Sequence, residues 1–242
     1  MQSEIPVGIP ITIPVAQYQD FNSFLNSLSE FELKEKVSFN SIMRPPLKYK
    51  LMKEGNLFLK IEELRDEEPT WAKYSSINCK KFKLKGTYYP LGDNSVKIPV
   101  FTLYKMFTCC CHFSDYTMNV ELEGSKGAFM GDVIFSNKGC CEINESALID
   151  NEEPINLQCV EKNAGCCFRG LQQKELHLLF KKGEKQVGEV VRPLGNINDN
   201  IMGLVKFICK LNPTLTCKQK LMTILSLAMV CIIYCPGRRS IA

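Results

Sequence analysis

A chain of 242 residues with 45% hydrophobic and 23% charged residues has an ordinary globular composition, which excludes intrinsic disorder. It is long enough to bury a sizeable core, as one large β domain or two small ones. The net charge of +4 permits attraction to an anionic membrane surface and gives no strong nucleic-acid signal.

The opening, MQSEIPVGIPITIPVAQ, has no basic n-region, and prolines interrupt its apolar run. It makes a poor secretory signal, so the thirteen cysteines are expected in a reducing compartment. Residues 1–16 read as an extended tail, because Pro6, Pro10 and Pro14 exclude regular helix and sheet ladders. Tyr18, Phe21, Leu25 and Leu28 then follow roughly helical spacing.

From there the apolar period is two. Leu47, Tyr49 and Leu51 alternate with lysines, Glu54-Gly55-Asn56 turns the chain, and Leu57, Leu59 and Ile61 bring it back as a hairpin. The stretch Glu62 to Glu68 reads as a solvated loop. Phe82 and Leu84 alternate with Lys81, Lys83 and Lys85, and Val96, Ile98 and Val100 follow a turn. Such a lysine row is ordinarily a solvated face; its functional alternative is attraction to anionic headgroups. Further strands are expected at Tyr116 to Leu122, Phe129 to Phe135, Ile155 to Cys159, Leu176 to Phe180 and Val187 to Val191. Regular short strands with turn signals argue for a mainly β, antiparallel architecture.

The last element differs. In KQKLMTILSLAMVCIIYC no charge appears between Lys220 and Arg238, and Leu221, Leu225, Met229 and Ile232 belong to an apolar set that covers every helical face. A helix without a polar face must be enclosed by protein or by lipid. The uncharged run is about fifteen residues, short of the roughly twenty that cross a bilayer core. Many alternating strands closed into a barrel leave a space too wide for their own side chains, and this helix would fill it. Residues 17–236 therefore form one domain, followed by a short basic tail at 237–242.

Chemistry-bearing motifs are few. Cys109-Cys110-Cys111 are consecutive, and Cys140-Cys141 and Cys166-Cys167 are adjacent pairs, spacings unlike those of zinc sites. The pairs read as small buried hydrophobes at turns; exposed thiols beside a membrane would make the triple run a thioacylation site. His177 lies in an apolar strand and reads as a packed residue, not a base. No G-x-S-x-G, P-loop, H-E-x-x-H or dinucleotide fingerprint occurs, and no active site for a chemical reaction is visible.

Taken together, FLNSLSEFELKEKVSF, FTCCCHFSDYTMNVEL, KNAGCCFRGLQQKELHLLF, GEVVRPLGNINDN and the closing helix resemble, in order and spacing, the phospholipid scramblase family. The resemblance covers residues 18 to 236. It implies a tubby-like fold, a closed antiparallel barrel of about twelve strands around a central hydrophobic C-terminal helix. It also implies ATP-independent, bidirectional movement of phospholipids between leaflets. Palmitoylation would fall on Cys109, Cys110 and Cys111, and the location would be the cytoplasmic face of a membrane, the plasma membrane first. The family's calcium segment resembles an EF-hand loop. Aligned on Gly203, its acid positions hold Asn198, Asn200 and Cys209, with Asp199 at the wrong phase, so Ca2+ binding is expected to be weak or absent. Regulated members of the family typically carry a long proline-rich extension, where about sixteen residues stand before the domain here. The alternative is a non-transporting lipid- or protein-binding module with the same fold, acting in membrane-associated signalling. Scrambling by a chain with one short apolar helix would need oligomerisation or bilayer distortion.

Overall fold

The computed structural model describes residues 15–36, 47–64, 82–90, 96–105, 116–122, 129–135, 144–149, 152–160, 176–193 and 204–234. A helix, α1 (Val15–Ser27), leads into β1 (Glu30–Lys36), β2 (Lys48–Lys53), β3 (Asn56–Leu64), β4 (Phe82–Tyr88), β5 (Ile98–Lys105) and β6 (Tyr116–Leu122). The chain continues through β7 (Phe129–Phe135), β8 (Asn144–Ile149), β9 (Ile155–Cys159), β10 (Leu176–Lys182), β11 (Lys185–Arg192) and β12 (Leu204–Leu211). It ends in α2 (Cys217–Tyr234). The architecture is mainly β and antiparallel with one C-terminal helix. Neighbouring strands follow the order β1-β12-β11-β10-β9-β8-β7-β6-β5-β4-β3-β2, and β2 in turn pairs with β1.

Alternation decides which face of each strand turns inward. Leu33, Tyr49, Leu51, Leu59, Ile61 and Leu84 are buried, and so are Leu178, Phe180 and Phe207 further round the sheet. Against them stands α2, in which every residue from Gln219 to Cys231 is buried. It approaches β7, β8 and β9, and its N-terminal end meets α1. Of the two enclosures expected for this helix, the structure has protein. Leu221, Leu225 and Met229 are in the core, while the side chain of Ile232 lies outside the described residues. Among the described residues no helix is long and apolar enough to cross a membrane.

Helix α2 starts at a capping box. Thr216 Oγ1 accepts from Gln219 N at 3.2 Å and Gln219 Oε1 accepts from Thr216 N at 3.1 Å, so two otherwise orphaned donors are satisfied. Just before it, Asn212 Oδ1 accepts from Thr214 N at 2.9 Å, which turns the chain out of β12. Helix α1 packs Phe21, Leu25 and Leu28 inward at helical spacing. Its Phe24 ring lies 4.8 Å from Phe58 and 5.6 Å from Tyr88, within the range of favourable aromatic pairs.

Several local expectations are corrected. Helix α1 begins at Val15, two residues inside the stretch read as tail, because helix can start directly after a proline. A bulge between Leu51 and Met52 shifts the phase of the hairpin, leaving Leu57 half-buried while Phe58 and Leu59 are both buried. The acidic stretch from Glu62 is in part strand: β3 runs to Leu64 and Glu63 is buried. Glu63 Oε2 accepts the Leu47 N–H at 2.9 Å and its own N–H donates to Leu47 O at 2.9 Å, closing the end of the β2–β3 pair. Val96 precedes β5 and is exposed, since the inward phase begins at Ile98. Gly86 faces Phe101 across β4 and β5, and a Cβ there would meet the Phe101 ring at 2.3 Å.

Candidate functional site

The outward face of β12, β1, β2, β3 and β4 is basic. Lys206 stands opposite Lys34, Lys34 opposite Lys50, and Lys50 opposite Lys60, giving one lysine on each of four adjacent strands in a single row. A second row runs from Lys48 to Glu62 to Lys85. Lys83, two residues before Lys85, is exposed and places its Nζ 5.1 Å from the centre of the Tyr104 ring. Alternation produces both rows, because the inward phase of these strands is filled by the core and leaves the lysines outward.

Two carboxylates lie among them. Glu32 pairs with Lys206 at 2.5 Å and Lys34 at 2.9 Å. The hydrogen bond from Lys206, supported by Lys34, holds the Glu32 carboxyl below the usual carboxylate range although partial burial works the other way. Glu62 pairs with Lys60 at 2.9 Å and more loosely with Lys48 at 3.5 Å. Lys50, Lys83 and Lys85 have no ion pair among the described residues. Exposed pairs of this kind contribute little to stability, and like charges directly opposite each other cost some.

A second polar cluster lies at the α1–α2 junction and is internal. Lys220 is wholly buried, and its Nζ donates to Asn26 O at 2.6 Å; burial lowers its basicity. The Cys217 thiol donates to Asn26 Oδ1 at 2.8 Å and Asn22 O at 3.1 Å, and burial pushes its pKa up. Gln219 Nε2 donates to Glu152 Oε2. These bonds fix α1 and the approach to β9 against the start of α2. The cluster's polar groups are engaged in holding these elements together, so it is a structural joint.

The positions expected to carry function fare unequally. Cys109, Cys110 and Cys111, and Asn198, Asp199 and Asn200, lie outside the described residues, as does Lys81. Cys209 does not lie in a loop. It is fully buried in β12 between Phe31 and Val190, and burial raises its thiol pKa strongly. An EF-hand-like loop ending there does not fit, because its last ligand position is a core thiol on a strand. Among the described residues no group of three or more His, Cys, Asp or Glu side chains is arranged to hold a metal. His177 is exposed, not packed: Leu178 and Phe180 take the inward phase of β10.

Sequence reasoning found Lys83 and Lys85 but not the rows they join. Lys34 and Lys206 lie on β1 and β12, at opposite ends of the chain, and only the pairing of those strands makes them neighbours. Comparisons with family models, with curated proteins and with solved structures find no match for this chain.

Proposed function

We propose that this chain is a phospholipid scramblase-like protein that moves phospholipids in both directions between leaflets without ATP. In this reading the ring of antiparallel pairings is the closed, twelve-stranded barrel of a tubby-like domain, with α2 as its central helix. The observation that carries it is an apolar helix enclosed by antiparallel strands, the combination that the order of the sequence segments also resembles. The protein sits at the cytoplasmic face of a membrane, the plasma membrane first. Acyl chains on Cys109, Cys110 and Cys111 add to its affinity, since one chain gives marginal binding and two give a stable anchor. Changing all three to Ser should shift the protein from membranes to the soluble fraction, and hydroxylamine should do the same to the wild type. Calcium is at most a weak ligand here.

The chemistry demanded is slight. The barrier to scrambling is the passage of a charged headgroup through hydrocarbon, and a scramblase lowers it with a polar path or a thinned bilayer. No proton transfer or nucleophile is required. The second reading, a non-transporting lipid- or protein-binding module, is favoured by one observation: from Gln219 to Cys231 α2 is already enclosed by its own protein. A liposome assay with a quenchable lipid probe separates them. Loss of the protected half of the signal on adding protein supports scrambling. An unchanged protected fraction, with protein bound to the same vesicles, supports the binding module.

A further inference from the structure

We infer that the outward face of β12, β1, β2, β3 and β4 is the surface that docks this protein on a bilayer, with anionic phospholipid headgroups as its ligand. The inference rests on the reading of the chain as membrane-associated and adds where and how contact is made.

Three observations point to a charged plane. First, the face carries eight lysines and three glutamates among its described outward positions. The chain as a whole is only +4, so the excess is concentrated here. Second, the fold does not require this arrangement. Lys206, Lys34, Lys50 and Lys60 are direct cross-strand neighbours, an order that costs stability and that an alternation of signs would relieve. By contrast, on the same pair of strands Glu30 stands opposite Lys210, and Lys210 opposite Glu189, so the sheet can alternate charge, as it also does from Lys48 to Glu62 to Lys85.

Third, the cations are spread and not convergent. At about 4.8 Å between strands, five strands extend the face over about 19 Å. No two of the lysines are held together on a common acceptor except through Glu32 and Glu62. A single phosphate would be gripped by converging donors, usually including arginine, whose fork matches it bidentately. A layer of headgroups is met by separate lysine point charges on flexible stems. Tyr104, under Lys83, adds the kind of ring that settles at a membrane–water boundary.

The test uses the full chain purified from bacteria, and therefore without acyl chains. Sedimentation is measured with phosphatidylcholine vesicles and with phosphatidylserine-rich ones. The triple variant Lys50→Gln, Lys83→Gln, Lys85→Gln leaves all four ion pairs of the face in place. Its partitioning into the anionic vesicles should fall about a hundredfold, on the basis of the usual contribution of a basic residue near such a surface. A control with the same loss of charge, Lys181→Gln, Lys182→Gln, Lys185→Gln, on β10 and β11 outside the face, should bind within about threefold of the parent. The corresponding Lys→Arg triple at 50, 83 and 85 should restore binding.

Equal binding by the parent and the face triple would overturn the docking surface while leaving membrane association intact. Equal losses in the two Gln triples would also overturn it, since net charge alone would then explain the effect. A parent that ignores anionic vesicles would sink the membrane reading itself. Competition by soluble glycerophosphate at matched phosphate concentration would mean that a single phosphate is bound, not a surface. Tighter binding to a single-stranded oligonucleotide than to vesicles at the same salt would assign the face to nucleic acid instead.

Discussion

The two faces of β1, β2 and β3 share one backbone and obey different demands. Inward, Leu33, Tyr49, Leu51, Leu59 and Ile61 are buried with the rest of the core, and the same phase keeps α2 enclosed. Outward, Lys34, Lys50 and Lys60 stand side by side where the fold would be better served by alternating charge. The inner face is explained by burial alone. The outer face is not, and that difference is why function is sought there. The buried Lys220 sharpens the contrast: one lysine is held inside by a carbonyl, whereas outside three lysines occupy neighbouring positions across three strands.

Breaking the inner face should have the largest effect. Leu225→Asp places a charge in the middle of α2 with no partner, and several kcal/mol of destabilisation should leave the domain unfolded by circular dichroism. A variant that kept a cooperative melt near the parent's would mean that α2 is not held within the sheet. Next comes Lys220→Ala, which leaves Asn26 O without its donor and removes a packed side chain. A loss of about 1–3 kcal/mol in urea unfolding is expected. No change there would remove the α1–α2 joint from the account of stability.

The outer face should respond in the opposite direction. Lys50→Glu places an opposite charge between Lys34 and Lys60 and should raise stability by a few tenths to about 1 kcal/mol. The same variant should lose vesicle binding, so stability and binding part company at one residue. A variant that lost both would show that the row is built for folding.

The smallest effect is one of pH. Glu32 is bonded by Lys206 and Lys34 and its carboxyl titrates below its unfolded value. Its contribution is therefore complete above the unfolded value, near pH 4.3, and is lost as the pH falls through the lower folded value. Glu32→Gln should flatten part of the acid limb of the stability curve, lowering the neutral plateau slightly and leaving stability at the acid end unchanged. An identical acid limb would assign that limb to other carboxylates.

Alternation over short windows was enough to read the β2–β3 hairpin, β4, β7, β9 and β11, because a strand half-buried against a core writes its phase into every second residue. It was not enough for β1, β8 or β12. In EFELKEK five of seven residues are charged, in NESALI only three of six are apolar, and β12 overlaps the stretch aligned with a calcium loop. Bulges also escape a fixed period, and so Phe58 was missed as an inward residue. His177 was misplaced because its neighbours on both sides are apolar, and only Leu178 and Phe180 reveal which phase points in.

The sequence by itself determined that the chain is mainly β and antiparallel, and that the stretch after Lys220 would be an apolar helix needing cover on all sides. Both follow from local order, since periodicity and charge are properties of neighbouring residues. What covers that helix was decided only by tertiary structure, through the burial of Gln219 to Cys231 within the protein. The lysine rows were decided there too. Lys34 and Lys206 are more than 170 residues apart, and no local pattern reports that two distant strands will pair. Long-range register turned scattered lysines into one face.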